Sequence, residues 1–246
     1  MNNNYSPDQD PIKLFTLAED HPCSYLNDRN ANSAFVDPSQ PPTWEQYSAL
    51  SRLGFRRSGN HFYRPHCRQC SECKSSRIRA FEIDLSRKRF KRILNKSKHL
   101  TLSLEPATFS EEHYDIYERY ITQRHHDGDM YPPSIEQYKG FLTSEFPFSQ
   151  LMSMRDDEGQ LILATCIDIL DDGISAIYTY FDPDYSDLSP GTLAILKMCE
   201  LAIEQGHPYV YLGYWVKDSP KMAYKRQFTP LDIFDGQNWL GFNPES

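Results

Sequence analysis

Apolar positions recur along this chain with two periods, and the changes of period mark out its elements. TWEQ at 43–46 is a capping box, and Trp44, Tyr47 and Leu50 give the helix behind it an apolar face that Gly54 ends. Residues 55–66 alternate loosely around Gly59 and Asn60, which predicts a hairpin. From Ser86, the expected N-cap, to residue 98 the period is helical. Phe90, Ile93 and Leu94 share one side, and Arg87, Lys88, Arg89, Lys91 and Arg92 cover the rest. Residues 100–104 alternate as a strand. Ser110 caps a helix carrying Tyr114, Tyr117 and Ile121, and SIEQ at 134–137 is a second capping box ahead of Tyr138 and Phe141. Strand-like runs follow at 150–155, 161–170 and 174–181, the last two joined by Asp171, Asp172 and Gly173, a hairpin signal. Ser189 and Pro190 open a helix through Leu193, Leu196, Cys199 and Ile203 that stops at Gly206, and 209–215 is one more strand. The tail up to Asp10 is expected to be loose, and DPSQPP at 37–42 a rigid connection.

Strand, hairpin, strand, helix, strand is the order at the heart of the acetyltransferase-like (GNAT) α+β fold. The expected organisation is an N-terminal, cysteine-containing basic module over residues 1–99 and an acetyltransferase-like catalytic domain over 100–246.

The length, 246 residues, suffices for a sizeable core. The start of the chain lacks the charged-then-apolar shape of a signal peptide, and no run approaches the length of a membrane span, so a cytoplasmic protein without a membrane partner is expected. The net charge of −8 conceals an asymmetry: residues 52–98 carry 15 Lys and Arg against 3 acids, and the remainder stands at −20. An acidic chain with one dense basic segment points to nucleic acid as the partner of that segment. The plainer alternative is a solvated helix face.

Cys67, Cys70 and Cys73 stand at two-residue gaps, with Cys23 upstream. Four such thiolates suit a structural zinc or an iron–sulfur cluster; unmetallated thiols in a reducing compartment are the alternative. Cys166 and Cys199 fall in apolar stretches and are expected to be buried thiols. After the last strand, Lys217, Lys221, Lys225 and Arg226 cluster beside Tyr214 and Tyr224, a pattern for a carboxylate or phosphate site or for an ordinary cationic loop. RHHDGDMY at 124–131 is read as a structured loop after a helix, because adjacent histidines diverge. The turn at 184–191 has one glycine and two acids, which would repel the pyrophosphate of coenzyme A.

Taken together, HPCSYL (21–26), GFRRSG (54–59), YRPHCRQCSEC (63–73), RI (77–78), SR (86–87), RH (124–125), DG (127–128), MY (130–131), YLGY (211–214) and KMAYK (221–225) resemble the arginyl/leucyl-tRNA–protein transferase family in its bacterial leucyl-transferring branch. The resemblance runs over nearly the whole chain. It implies transfer of leucine from leucyl-tRNA to the N-terminal amine of proteins beginning with Asp or Glu, which marks them for N-degron degradation. It also implies an acetyltransferase-like core and a cysteine-bearing N-terminal module. In the eukaryotic arginyl branch the first motif holds Cys-x-x-Cys, whereas here Cys23 is followed by Leu26 and the later paired cysteines are replaced by the spaced triple, so that branch's metal or cluster site does not carry over wholesale.

The reaction so implied is aminolysis of an activated ester and needs no cofactor. An α-amine with a pKa of about 7.7–8.0 is partly neutral in the cell, so positioning and oxyanion stabilisation matter more than a strong base. Tyr178, Tyr180 and Tyr214, at two strand ends, are the candidates to orient the ester or relay a proton; packing on a strand face is their other reading. Arg77, Lys221, Tyr224 and Lys225 are the candidates for binding the acidic acceptor residue, and Arg56, Arg57, Arg87, Lys88, Arg89, Lys91 and Arg92 for binding tRNA. The rival readings are arginyl transfer by the same mechanism, a coenzyme-A-dependent N-acetyltransferase, and a zinc-containing nucleic-acid-binding protein.

Overall fold

A computed structural model describes residues 11–242; the tail expected to be loose lies outside the described residues. The elements are β1 (Leu14–Thr16), β2 (His21–Pro22), β3 (Asn30–Ala31), β4 (Ser33–Val36), α1 (Trp44–Arg52), β5 (Arg56–Ser58), β6 (His61–Pro65), β7 (Lys74–Arg79), α2 (Lys88–Lys96), β8 (Thr101–Pro106), α3 (Glu111–Arg124), α4 (Ile135–Leu142), β9 (Ser149–Arg155), β10 (Leu161–Ile169), β11 (Gly173–Phe181), α5 (Pro190–Gln205), β12 (Tyr209–Trp215), β13 (Leu231–Phe234) and β14 (Trp239–Gly241). Short 3-10 turns occupy Ala80–Glu82, Pro183–Leu188 and Pro220–Gln227. Among the described residues no helix is long and apolar enough to cross a membrane.

Local chemistry sets most helix starts. The Thr43 hydroxyl accepts from the Gln46 amide while the Gln46 side chain accepts from the Thr43 amide, so the expected capping box is complete. Ser110 and Ser134 cap α3 and α4 by accepting from the amides of His113 and Gln137. At the second box the Gln137 side chain is engaged elsewhere, its Oε1 accepting from the Tyr117 hydroxyl at 2.8 Å. Helix α2 corrects the expectation. It starts at Lys88 with Arg87 in the cap position, because Ser86 turns its hydroxyl and amide to the Asp84 carboxylate at 2.6 and 2.9 Å.

The strands form a four-stranded sheet in the order β1-β4-β6-β5, an eight-stranded sheet in the order β14-β13-β7-β12-β11-β10-β9-β8, and the small pair β2-β3. Alternation along the long strands feeds two cores. Leu151 and Cys166 join Tyr117, Tyr138 and Leu142 of α3 and α4 on one face, and Met152 and Ile167 join Leu193 and Leu196 of α5 on the other. A third cluster packs α1 through Tyr47 and Leu50 against Phe62, Phe148 and Tyr211.

Two features of the large sheet position the site. Strand β7 is inserted between β12 and β13, so the sheet itself crosses the division expected at residue 99. Strands β11 and β12 are parallel, but their pairing covers only Gly173–Ser175 against Tyr209–Tyr211. Beyond it β12 follows β7 through a register shift at Gly213, whose φ of +78° suits glycine. The sheet is therefore split between the C-terminal halves of β11 and β12.

Candidate functional site

A cavity of about 600 Å³ opens at this split. Ala176, Ile177, Tyr178 and Thr179 of β11 line one wall, the start of α5 at Pro190, Gly191 and Thr192 another, and Ile195, Met198 and Leu212 supply an apolar floor. Arg56, Arg89 and Arg124 reach it from β5, α2 and α3, and Tyr120, His125 and Tyr224 complete the rim. None of its lining residues is acidic. Such a cleft has a cationic rim over an apolar base, and nothing within it neutralises the charge.

The tyrosines expected at the chemistry separate. Tyr178 lines the cavity, its ring packed on Tyr117, Tyr120 and Phe141, and burial raises its pKa well above the phenolic range. Tyr180, two residues on, lies wholly buried under α3, with its hydroxyl 2.8 Å from His113 Nδ1 and 2.9 Å from the Tyr138 hydroxyl. Tyr214 faces away from the cavity; its hydroxyl lies 3.2 Å from the carbonyl oxygens of both Gly54 and Tyr63. Burial raises the pKa of all three phenols, so each stays protonated at neutral pH.

The expected acceptor-binding residues separate as well. Tyr224 lines the cavity. Lys221 is exposed and close enough to His125 to disfavour its charged form. Lys225 is 4% exposed and donates to the Tyr214 carbonyl; burial, then the neighbouring Arg56, lowers its pKa to about 7. Arg77 is excluded from the cleft. It is stacked 3.5 Å from the Tyr209 ring centroid and 4.2 Å from that of Trp239, and it pairs with Asp232 at 3.4 Å.

Of the expected tRNA contacts, Arg57 is the clear correction. Its side chain is wholly buried in a two-pronged pair with Asp168, so it has no surface to offer a phosphate. Arg56 points the other way, into the cleft. Arg87 is exposed and holds the Gln227 carbonyl and the Thr229 hydroxyl at 3.0 and 2.7 Å. Lys88, Arg89, Lys91 and Arg92 are exposed, and Lys88, Lys91 and Arg92 line a shallow depression with Asn95 and Lys96. Arg89 is thus the point where the basic helix meets the cleft.

Cys23, Cys67, Cys70 and Cys73 line a second cavity of about 330 Å³. Burial, then the other three thiols, pushes the Cys73 thiol up to about 12. The donor chemistry suits a soft cation, yet among the described residues no group of three His, Cys, Asp or Glu is arranged to hold a metal ion. Cys166 and Cys199 are buried thiols, as their apolar surroundings suggested.

Sequence reasoning missed His125. It closes α3, lies 2.9 Å from the Tyr120 hydroxyl and borders the cleft, and burial lowers its pKa below 6.5. The signals in the sequence were the histidine pair after a helix and the RH motif at 124–125.

Fold and cleft together define a class: an α+β protein with a split sheet, a cationic cleft free of acids, and a basic helix leading into it. Two family models match the chain, the arginine-tRNA-protein transferase C terminus over residues 112–235 and the N terminus of the same family over 21–92. The chain belongs to the arginine-tRNA-protein transferase family. Among its relatives are aspartate/glutamate leucyltransferases of Chromohalobacter salexigens (48% identical, covering 92% of this chain and 91% of the relative), Pseudomonas fluorescens (44%; 93% and 97%) and Alcanivorax borkumensis (47%; 89% and 90%). Among solved structures, that of L-PGS from Bacillus licheniformis is similar at a TM-score of 0.44 and 14% identity, over 69% of this chain and 50% of that one.

Proposed function

We propose that this chain transfers leucine from leucyl-tRNA to the N-terminal α-amine of proteins beginning with Asp or Glu, in the cytoplasm, on an acetyltransferase-like core. The observation that carries this is the composition of the cleft: Arg56, Arg89 and Arg124 over an apolar floor of Ile195, Met198 and Leu212, without a carboxylate. An RNA-borne ester and an acidic acceptor both suit the arginines, and a leucyl side chain suits the floor. An arginyl side chain would meet like charge, so arginyl transfer is disfavoured. The names of the relatives agree with the leucyl reading.

The chemistry runs on the chain's own residues. Exposed Lys88, Lys91 and Arg92 on α2 take the tRNA backbone, and Arg89 leads its acceptor end into the split. The amine attacks the ester carbonyl, the bond to the tRNA ribose oxygen breaks, and neutral His125 accepts the amine's proton and delivers it to that oxygen, which leaves as the hydroxyl. Tyr178 orients the ester by hydrogen bonding, since its phenol stays protonated. For the four cysteines we propose a structural role, as thiols or as ligands of zinc or an iron–sulfur cluster; metal analysis of the purified protein decides between these.

The test is incubation with charged leucyl- and arginyl-tRNA and peptides starting with Asp, Glu, Lys or Ala. Mass spectrometry should find leucine on the Asp and Glu peptides alone. Transfer of arginine, or transfer to Lys and Ala peptides, would overturn the reading.

A further inference from the structure

Arg56 is a buried cation that no acid neutralises. Its side chain crosses from β5 into the split and donates through Nη2 to the Ala176 carbonyl, the first on β11 after its pairing with β12 ends. Gly213 makes room for it: a Cβ there would stand 3.2 Å from the guanidinium carbon. Arg56 is 8% exposed, and its Nη1 is buried without a hydrogen-bond partner. Lys225 lies close by, its Nζ donating to the carbonyl of Tyr214 on the neighbouring strand β12. Among the described residues neither Arg56 nor Lys225 has a carboxylate within ion-pair distance.

A buried, unpaired donor on a charged group is costly unless something occupies it. A guanidinium with an unmet donor, beside a lysine and with no acid near either, makes an anion the fitting occupant. The anion must also be slender: a guanidinium so recessed is out of reach of a nucleic-acid backbone, which carries its phosphates on a bulky chain. The side-chain carboxylate of a polypeptide's first residue reaches such a recess, and it does so with the α-amine only a few bonds away, still in the cleft beside the ester.

We propose that Arg56, with Lys225 beside it, is the receptor for the side-chain carboxylate of the acceptor's N-terminal Asp or Glu, and so sets the acceptor specificity. This rests on the leucyl-transfer reading and assigns one part of it. Asn and Gln, isosteric but neutral, offer one acceptor oxygen instead of two and no charge, so they bind more weakly.

The test compares the full-length protein with its Arg56→Gln variant. Calorimetric titration with peptides starting with Asp or Asn, without tRNA, should give the parent a preference for Asp on the order of a hundredfold. The variant should lose it. In transfer assays the variant's kcat/KM for Asp peptides should fall on the same order, while the KM for leucyl-tRNA stays within about twofold. An unchanged Asp-over-Asn preference, with a raised KM for leucyl-tRNA, would assign Arg56 to the RNA and overturn the proposal. Should Arg56→Gln fail to fold, Lys225→Met takes its place, with the same loss of preference expected and the same outcome overturning it. The titration needs no ester, so a failure of leucyl transfer would sink the reaction and still leave the carboxylate receptor to be decided.

Discussion

Arg57 holds Asp168 by two hydrogen bonds, Nε to Oδ2 at 2.8 Å and Nη2 to Oδ1 at 2.7 Å, with both side chains wholly buried. The pair joins β5 of the small sheet to β10 of the large one. Around it the Tyr47 hydroxyl donates to Asp168 at 2.9 Å, and Arg57 also donates to the Gly59 carbonyl and to Ser149 Oγ at 2.7 and 2.8 Å. Every polar contact of this arginine is internal.

Arg57→Ala should therefore cost stability and leave RNA affinity alone. Removing one member strands a buried carboxylate, a loss of about 3–5 kcal/mol. Urea denaturation measures it. Folded Arg57→Ala protein should bind tRNA as the parent does; a tenfold loss of affinity at unchanged stability would return Arg57 to the RNA surface.

The exposed face of α2 carries the opposite expectation. Replacing Lys88, Lys91 and Arg92 with Gln removes three cations that touch no acid within 4 Å among the described residues, so the fold should hold. The plot of log affinity for tRNA against log salt should become shallower by about 2–3, because fewer counterions are released. An unchanged slope would place the RNA elsewhere.

Arg56 and Arg57 show how much of the site was legible in the sequence. They are neighbours of identical type within one motif, and a strand sends successive side chains to opposite sides. The sequence carries the pair; only the packing of β5 on the large sheet says that Arg56 faces the cleft and Arg57 faces Asp168. The same holds for Tyr178 and Tyr180, which are separated by the cover that α3 and α4 provide. Elements that bury one continuous face were legible, α1, α3, α4, α5 and the strands β9 to β12 among them. Strand β7 was not. Its sequence KSSRIR has no apolar alternation, and it is buried because its neighbours accept its polar groups, as when Ser76 Oγ donates to the Gly213 carbonyl at 2.7 Å.

Burial of Lys225 makes stability depend on pH. Its pKa falls from 10.5 in the unfolded chain to about 7 in the folded one. Between these values the unfolded chain binds the extra proton, so this group's contribution to stability rises with pH from about 7 to 10.5 and is least favourable below 7. Lys225→Met should remove that slope and be more stable at pH 7 by about 1–3 kcal/mol. Denaturation of both proteins at pH 7 and above 10 checks this. A gap that persists at high pH would mean that packing, rather than charge, is responsible.

The proton taken from the attacking amine needs an acceptor that is neutral at cellular pH, and His125 meets that need. Burial, the largest influence, favours its neutral form; Arg124 and Lys221 add to this, and Asp127 opposes it. Its contact with the Tyr120 hydroxyl at 2.9 Å holds the ring at the rim of the cleft. With peptide and leucyl-tRNA both saturating, kcat should fall as pH drops below 6.5, because the imidazole gains a proton and can accept no other. His125→Ala should lower kcat on the order of a hundredfold, abolish that acid limb, and leave the KM for leucyl-tRNA close to the parent's. The KM comparison separates proton transfer from substrate binding. Were the variant to keep both the parent's kcat and its acid limb, the proton would have to leave by another route, and the ribose hydroxyl of the departing tRNA would be the group left to carry it.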